Sequence, residues 1–524
     1  MSGGENPPSG GAPGAGTAEP AAPEAKAVRA STAAGRTSVL GPALMLTSGR
    51  TLAFGASFFI PVVLARVFTT AEFGTYKQLF LLIMTLYFTV QLGVANSLYY
   101  FLPREPERAG RLVANSLAVL AAAGTLCAGV LIVQREALAW LFSNDAVPNY
   151  ALAVAAYLLL MLLATPLEIV MIARRRHRAA TVSYAVSDVV RAGMLIVPTL
   201  LTGELAWALA GAVLFALARF GAMVAWLRRE LGGELRLDRS LLRRQLAYSL
   251  PFGLAVVVIT VQADLHQYVV AHTFDAATFA IYAVGCLQIP LVDFIATPTG
   301  DVMMVRMAEE LRDGDAAGAR LTWHDAIGGL ALLLFPLVGG LLLVAPELIV
   351  LLFTADYAAS VPIFMLWTCG VLFAPLLVDG VLRVYARTRL LLGLSVVQFA
   401  LIAALIVPFL SWFGLPGAVL VTILALAAAR LLGLARIRRL LGLRLSGLLP
   451  WRKLALIAAA AAIAFAAGWV VKTAAALPDL PSLLLAGAVY AAVYAALARW
   501  WGVAPDPRPA LRRALRKLSP RPAS

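Results

Sequence analysis

The sequence predicts an all-α polytopic membrane protein with about fourteen transmembrane helices, arranged as two six-helix bundles plus two further C-terminal helices. Three observations predict it. Of 524 residues, 61% are hydrophobic and only 14% charged, whereas about a quarter of the residues of a water-soluble domain are charged. The apolar residues gather into runs long enough for a hydrocarbon core of about 30 Å, which takes roughly 20 residues per helix. Lysine and arginine, finally, concentrate in every second connection between runs, as they do in cytoplasmic loops.

Taken in order, residues 1–37 are rich in Gly, Pro, Ala and Ser and predict a disordered cytoplasmic tail, not a cleavable signal. Fourteen apolar runs follow, at about 40–66, 78–102, 112–133, 150–173, 180–202, 205–227, 247–271, 278–299, 321–345, 359–382, 390–411, 416–435, 454–473 and 482–503. The first six form a bundle over 38–230 and the next six a bundle over 247–440. Between them, 231–246 reads as an amphipathic cytoplasmic linker, with leucines interleaved among arginines from Arg228 to Gln245. Residues 450–505 carry helices 13 and 14, and 506–524 a basic cytoplasmic tail.

The loops test this count. Basic residues fill the segments around Arg104 to Arg111, Arg174 to Arg178, Arg228 to Arg244, Arg306 to Arg320, Arg383 to Arg389 and Arg430 to Lys453, and both tails. The alternate loops hold only Arg66, Lys77, Arg135 and Lys472. Both termini are therefore expected on the cytoplasmic side of the membrane. The net charge of +15 is topology information; a nucleic-acid binder would gather its cations on one exposed face, and no nucleic-acid partner is expected. Cys127, Cys286 and Cys369 lie in apolar runs without ligand spacing, so no disulfide framework and no metal site is predicted. There is no phosphate-binding glycine loop, HExxH or nucleophile elbow, and neither a catalytic residue nor a cofactor is expected.

Two internal echoes divide the chain. VFTTAEFGTY, ending at Tyr76, lines up with TFDAATFAIY, ending at Tyr282; LFSNDAVPNY, ending at Tyr150, resembles LFTADYAASV, ending at Val361. Each member of the second pair precedes a run with a midway proline, Pro166 or Pro375. Units of six helices keep the same orientation, so these are parallel repeats about an axis normal to the membrane. The EFGTY loop, the basic entry into YSLPFGLA, the six-plus-six repeat and the fourteen runs together resemble the bacterial polysaccharide flippases of the multidrug/oligosaccharidyl-lipid/polysaccharide exporter superfamily. The resemblance covers roughly residues 38 to 500. It implies translocation of a polyprenyl-diphosphate-linked oligosaccharide for surface polysaccharide biosynthesis. Membrane lipids and the machinery of polysaccharide polymerisation and export are the partners it allows.

Ionisable residues inside a membrane cost about 2.5–3.5 kcal/mol each on insertion scales and invite a function. Arg50 lies mid-way along the first run, Asp188 and Arg191 in the fifth, and Arg219 in the sixth. Guanidinium groups suit a diphosphate because their planar fork makes charge-assisted, bidentate bonds. Arg50, Arg191 and Arg219 are thus candidate ligands for the diphosphate or acidic sugars. Asp188, three residues from Arg191, either neutralises it or serves in gating or ion coupling. In the seventh run Gln262 and His266 share one helix face, with Asp264 about 200° around the helix. They are candidates for gating or ion coupling, or else for an outer vestibule or hydrogen bonds between bundles. The rival readings are a small-molecule antiporter of the multidrug branch, which would favour carboxylates over arginines, and a flippase for the peptidoglycan lipid precursor. A polysaccharide polymerase or ligase would need catalytic loops longer than the sequence has.

Overall fold

The second span starts where its cap allows. The Thr69 hydroxyl accepts a hydrogen bond from the Glu72 amide while the Glu72 carboxylate accepts one from the Thr69 amide, a reciprocal box that begins the helix at Thr70. Lys77 therefore sits in the third turn of helix Thr70–Val90 and not in the preceding loop, where its charge had placed it. In the aligned echo, Asp275 caps helix Ala276–Gly285 by accepting from the Thr278 amide. Phe73 and Phe279, equivalent in the two echoes, are both fully buried. The second echo carries a helix stop: Ser143 and Thr354 occupy matching positions after Phe142 and Phe353, and both have positive φ, 44° and 85°.

The computed structural model describes residues 55, 58–232, 235–474 and 479–504. Arg50 and both tails lie outside the described residues. Among the described residues, twelve helices are long and apolar enough to cross a membrane, and a bent pair, Ala276–Gly285 with Pro290–Arg312, supplies one more at an angle of 47°. Of the first run, helix Phe58–Val67 is described. The regular structure of the described residues is all helical, as the sequence predicts.

Breaks recur in equivalent spans of the two halves, at different depths in the second and eighth and at matching ones in the fourth and tenth. The second span is interrupted at Gln91–Gly93, the eighth at Cys286–Ile289. The fourth is interrupted at Thr165–Pro166, and the tenth passes through a 3₁₀ stretch, Gly370–Leu376, that contains Pro375. At Pro166, Pro290 and Pro375 the missing proline amide interrupts the ladder, whereas the break at Gln91–Gly93 turns on positive φ at Leu92 and Gly93.

The second half of the segment read as an amphipathic cytoplasmic linker runs on into the seventh span. Asp238 caps a continuous 35-residue helix, Arg239–Thr273, by accepting from the Ser240 and Leu241 amides. Its first turns belong to the seventh span and pack on the first bundle. Gln245, 1% exposed, donates to the Leu112 carbonyl and the Ser116 hydroxyl at 3.2 Å, Asn115 donates to the Asp238 carbonyl at 2.9 Å, and Arg244 pairs with Glu105 at 2.7 Å. Further along, Gly253 lies so close to Leu92 that a Cβ would come within 2.2 Å of its carbonyl oxygen. The seventh span is a strut fastened to the first bundle at one end and packed among second-bundle helices at the other.

The buried core shows how the bundles meet. At the end away from the basic loops, one apolar cluster runs through both bundles, from Leu64, Phe73 and Phe142 to Phe279, Phe353 and Phe364. At the basic end the core splits in two, one cluster around Leu98, Leu112 and Met223, the other around Met307, Trp323 and Ile437. Hydrogen bonds reinforce the continuous end: Ser143 donates to the His272 carbonyl, the His272 ring to the Trp140 carbonyl at 2.9 Å, and Arg66 to the carbonyls of Leu351 and Leu352. Gly74 brings the second and eighth spans into contact, because a Cβ there would lie 1.8 Å from the Ala276 oxygen. The molecule is sealed at one end and parted at the basic one.

The thirteenth and fourteenth spans, Trp451–Ala474 and Asp479–Trp500, lie against the ninth, Ala316–Phe353. Lys472 pairs with Glu347 at 2.8 Å, and Tyr490 and Tyr494 donate to the Pro336 and Leu332 carbonyls at 2.7 Å.

Candidate functional site

Polar groups collect inside each bundle, and the two collections differ. In the first, the Arg219 guanidinium makes two bonds to Glu168, at 2.9 and 2.8 Å, and one to Ser187. Glu168 also accepts from Ser183 at 2.6 Å and is 3% exposed. Arg219 therefore neither snorkels nor faces water; it has a partner on the fourth span, 51 residues away. Arg191 pairs with Asp188 at 2.6 Å on its own helix, and this pair keeps about a quarter of each side chain exposed.

Arg191 also lines a small cavity of about 130 Å³ with Tyr76, Lys77 and Tyr157. The Lys77 ammonium lies 6.0 Å from the Phe80 ring centroid, within cation–π range, and has no hydrogen-bond or ion-pair partner among the described residues. Inside the first bundle Arg191 and Arg219 are thus neutralised by carboxylates, and Lys77, among the described residues, is not.

The seventh span divides its polar residues between the bundles, as the helix wheel dictates. Asp264 faces the first bundle and accepts from the Thr85 hydroxyl at 2.6 Å. His266, 1% exposed, faces the second, bonded through Nδ1 to the Tyr282 hydroxyl at 2.6 Å, with its ring 5.4 Å from that of Trp367. Gln262, on the same face, opens on a cavity of about 530 Å³ inside the second bundle. The tenth, eleventh and twelfth spans complete that cavity, contributing Trp367, Asp379, Arg383, Gln398 and Arg430 among others. Asp379 pairs with Arg430 at 2.7 Å.

A family model described as polysaccharide biosynthesis protein matches residues 63–362, more than half of the chain. The chain belongs to that family. No curated protein matches the sequence. Among solved structures, this member is similar to the lipid II flippase MurJ in an inward closed conformation, at 12% identity and a TM-score of 0.70, over 86% of this chain and 98% of that one. It is also similar to an inward-facing multidrug resistance MATE transporter, at 14% identity and a TM-score of 0.58, over 76% of this chain and 94% of that one. A transporter of the same superfamily from Pyrococcus furiosus aligns at 13% identity with a TM-score of 0.53, over 76% and 94% of the two chains. At such identities the likeness is one of fold, and it extends over both bundles of this polysaccharide biosynthesis protein.

Of the candidate residues read from the sequence, the structure joins Asp188 with Arg191, places Arg219 in a separate pair, and turns Asp264 and His266, on one helix, toward different bundles. Glu168, Lys77, Asp379 and Arg383 were passed over. Glu168 carried a signal, a carboxylate two residues past Pro166 inside an apolar run. The Thr69–Glu72 pair would have brought Lys77 into the second span.

Proposed function

We propose that this protein is a flippase moving a polyprenyl-diphosphate-linked oligosaccharide from the cytoplasmic to the outer leaflet of a bacterial inner membrane, by rocking of the two bundles. The observation that carries the proposal is the split core: continuous across both bundles at one end and divided at the basic one. Assigning the basic end to the cytoplasm, with both termini there, makes this an inward-facing arrangement. Membership in a polysaccharide biosynthesis family supports a glycan as the cargo.

In this mechanism the lipid tail stays in the bilayer while the headgroup enters between the bundles. Arg50 and Arg191 contact the diphosphate, with Lys77 adding charge. Arg191 suits that role because its partly exposed pair with Asp188 can exchange a carboxylate oxygen for a phosphate oxygen. Arg219 acts as a positioning residue, since a phosphate taking its fork would strand the buried Glu168 charge. Asp188 gates access to Arg191. Asp264, His266 and Gln262, on the strut held by both bundles, respond to the rocking.

Reconstituted in liposomes, the protein is expected to move a fluorescent polyprenyl-diphosphate-linked glycan between leaflets. A cationic dye moved in its place, with the glycan left behind, would overturn the proposal in favour of a multidrug-type antiporter.

A further inference from the structure

The cavity of about 530 Å³ in the second bundle has no part in the mechanism so far. Its size falls within the roughly 300–1,000 Å³ typical of small-molecule sites. Gln262, which lines it, is 9% exposed, and its amide has no hydrogen-bond partner among the described residues. The amide opens on the cavity, free to bond whatever enters it. Gln398, from the eleventh span, lines the same space and is likewise without a partner among the described residues. Trp367 adds an aromatic wall, its ring held by the His266 ring, which Tyr282 fixes in turn.

The charges on the wall decide the ligand's sign. Asp379 is paired with Arg430 at 2.7 Å, and Arg383 has no hydrogen-bond or ion-pair partner among the described residues. One carboxylate against two guanidinium groups leaves the lining cationic. Paired amides, an aromatic plate and an unneutralised arginine fork together match one chemistry: a ring with an apolar face, several hydroxyls and a carboxylate.

We infer that the second-bundle cavity is a subsite for a carboxylated sugar unit of the glycan, with the sugar ring on Trp367, its hydroxyls on Gln262 and Gln398, and its carboxylate on Arg383. The inference rests on the flippase reading for the source of the sugar, and it adds a second point of attachment: the first bundle holds the diphosphate, the second reads the glycan. Arg383 lies on the segment assigned to the cytoplasmic rim, so the subsite is reachable from the side on which the headgroup enters.

The test is saturation-transfer NMR and equilibrium binding on the full chain in nanodiscs, with methyl β-glucuronide, methyl β-glucoside and inorganic phosphate as probes. The glucuronide is expected to bind and to be weakened about tenfold or more by Arg383→Gln, with the glucoside unaffected by that change. Gln398→Leu should weaken both saccharides, and thermal unfolding of each variant confirms that it is folded. Phosphate displacing the glucuronide as well as the glucuronide displaces itself would show an unspecific anion site and overturn the inference, as would saccharide binding indifferent to Arg383 and Gln398. Lipid-linked glycan moved by a protein that binds no saccharide would also overturn it and leave the flippase reading standing. Saccharide binding in a protein that moves no lipid-linked glycan would support the subsite and overturn the flippase reading.

Discussion

The two bundles share a plan and differ inside. Their capped echoes and helix stops occupy matching positions, yet the first bundle locks its buried Arg219 to Glu168, whereas the second leaves Arg383 and two amides facing a cavity. The difference teaches which parts of a duplicated fold are held in common. Residues that make the seal between bundles, such as Phe73 with Phe279 and Phe142 with Phe353, remain equivalent because each half must close against the other. Interior polar groups face no such demand and have diverged.

Stability should separate the two bundles. Removing one partner of a buried pair leaves the other charge without compensation, so Glu168→Gln should destabilise the protein by about 3–5 kcal/mol. Thermal unfolding in detergent reads this, and Glu168→Gln combined with Arg219→Leu should recover part of the loss. Gly74→Val attacks the shared seal. Its side chain would meet the Ala276 backbone, and overpacking of this kind costs about 1–3 kcal/mol. Spin labels on the two bundles near the sealed end should then show a longer or broader distance, while unchanged distances would mean that the close approach does not hold the seal.

Function sharpens the comparison further. Arg191→Gln should lower glycan translocation about tenfold or more with little change in unfolding temperature, because Asp188 keeps access to water. Equal transport by this variant and the wild type would remove Arg191 from the diphosphate site. The smallest effect is expected from Asp379→Asn. That pair leaves 47% of the Asp379 side chain exposed, and its loss should change stability by less than about 1 kcal/mol. A penalty as large as that of Glu168→Gln would mean that the second bundle is as tightly locked as the first.

The fold was legible because bilayer thickness and loop charge act along the chain, and the Tyr76 and Tyr282 echoes mark its duplication in a single reading. Pairings across helices were not legible. Arg219 and Glu168 are 51 residues apart, and no helical spacing links them. Lys77 was misplaced because charge alone assigned it to a loop, while the cap at Thr69 had already begun the helix. The seventh span was read as opening the second bundle, and its basic entry indeed precedes that half. What fastens it to the first bundle, Gln245 against Leu112 and Ser116, depends on contacts over more than a hundred residues.

The central claim, that transport requires the sealed end to part, is tested most directly by cross-linking that seal. Ser143→Cys with His272→Cys, in a chain whose Cys127, Cys286 and Cys369 are replaced by alanine, places two thiols where the bundles touch. Oxidation should stop translocation of the lipid-linked glycan in liposomes, and reduction should restore it. A disulfide formed in full with translocation unchanged would contradict the account.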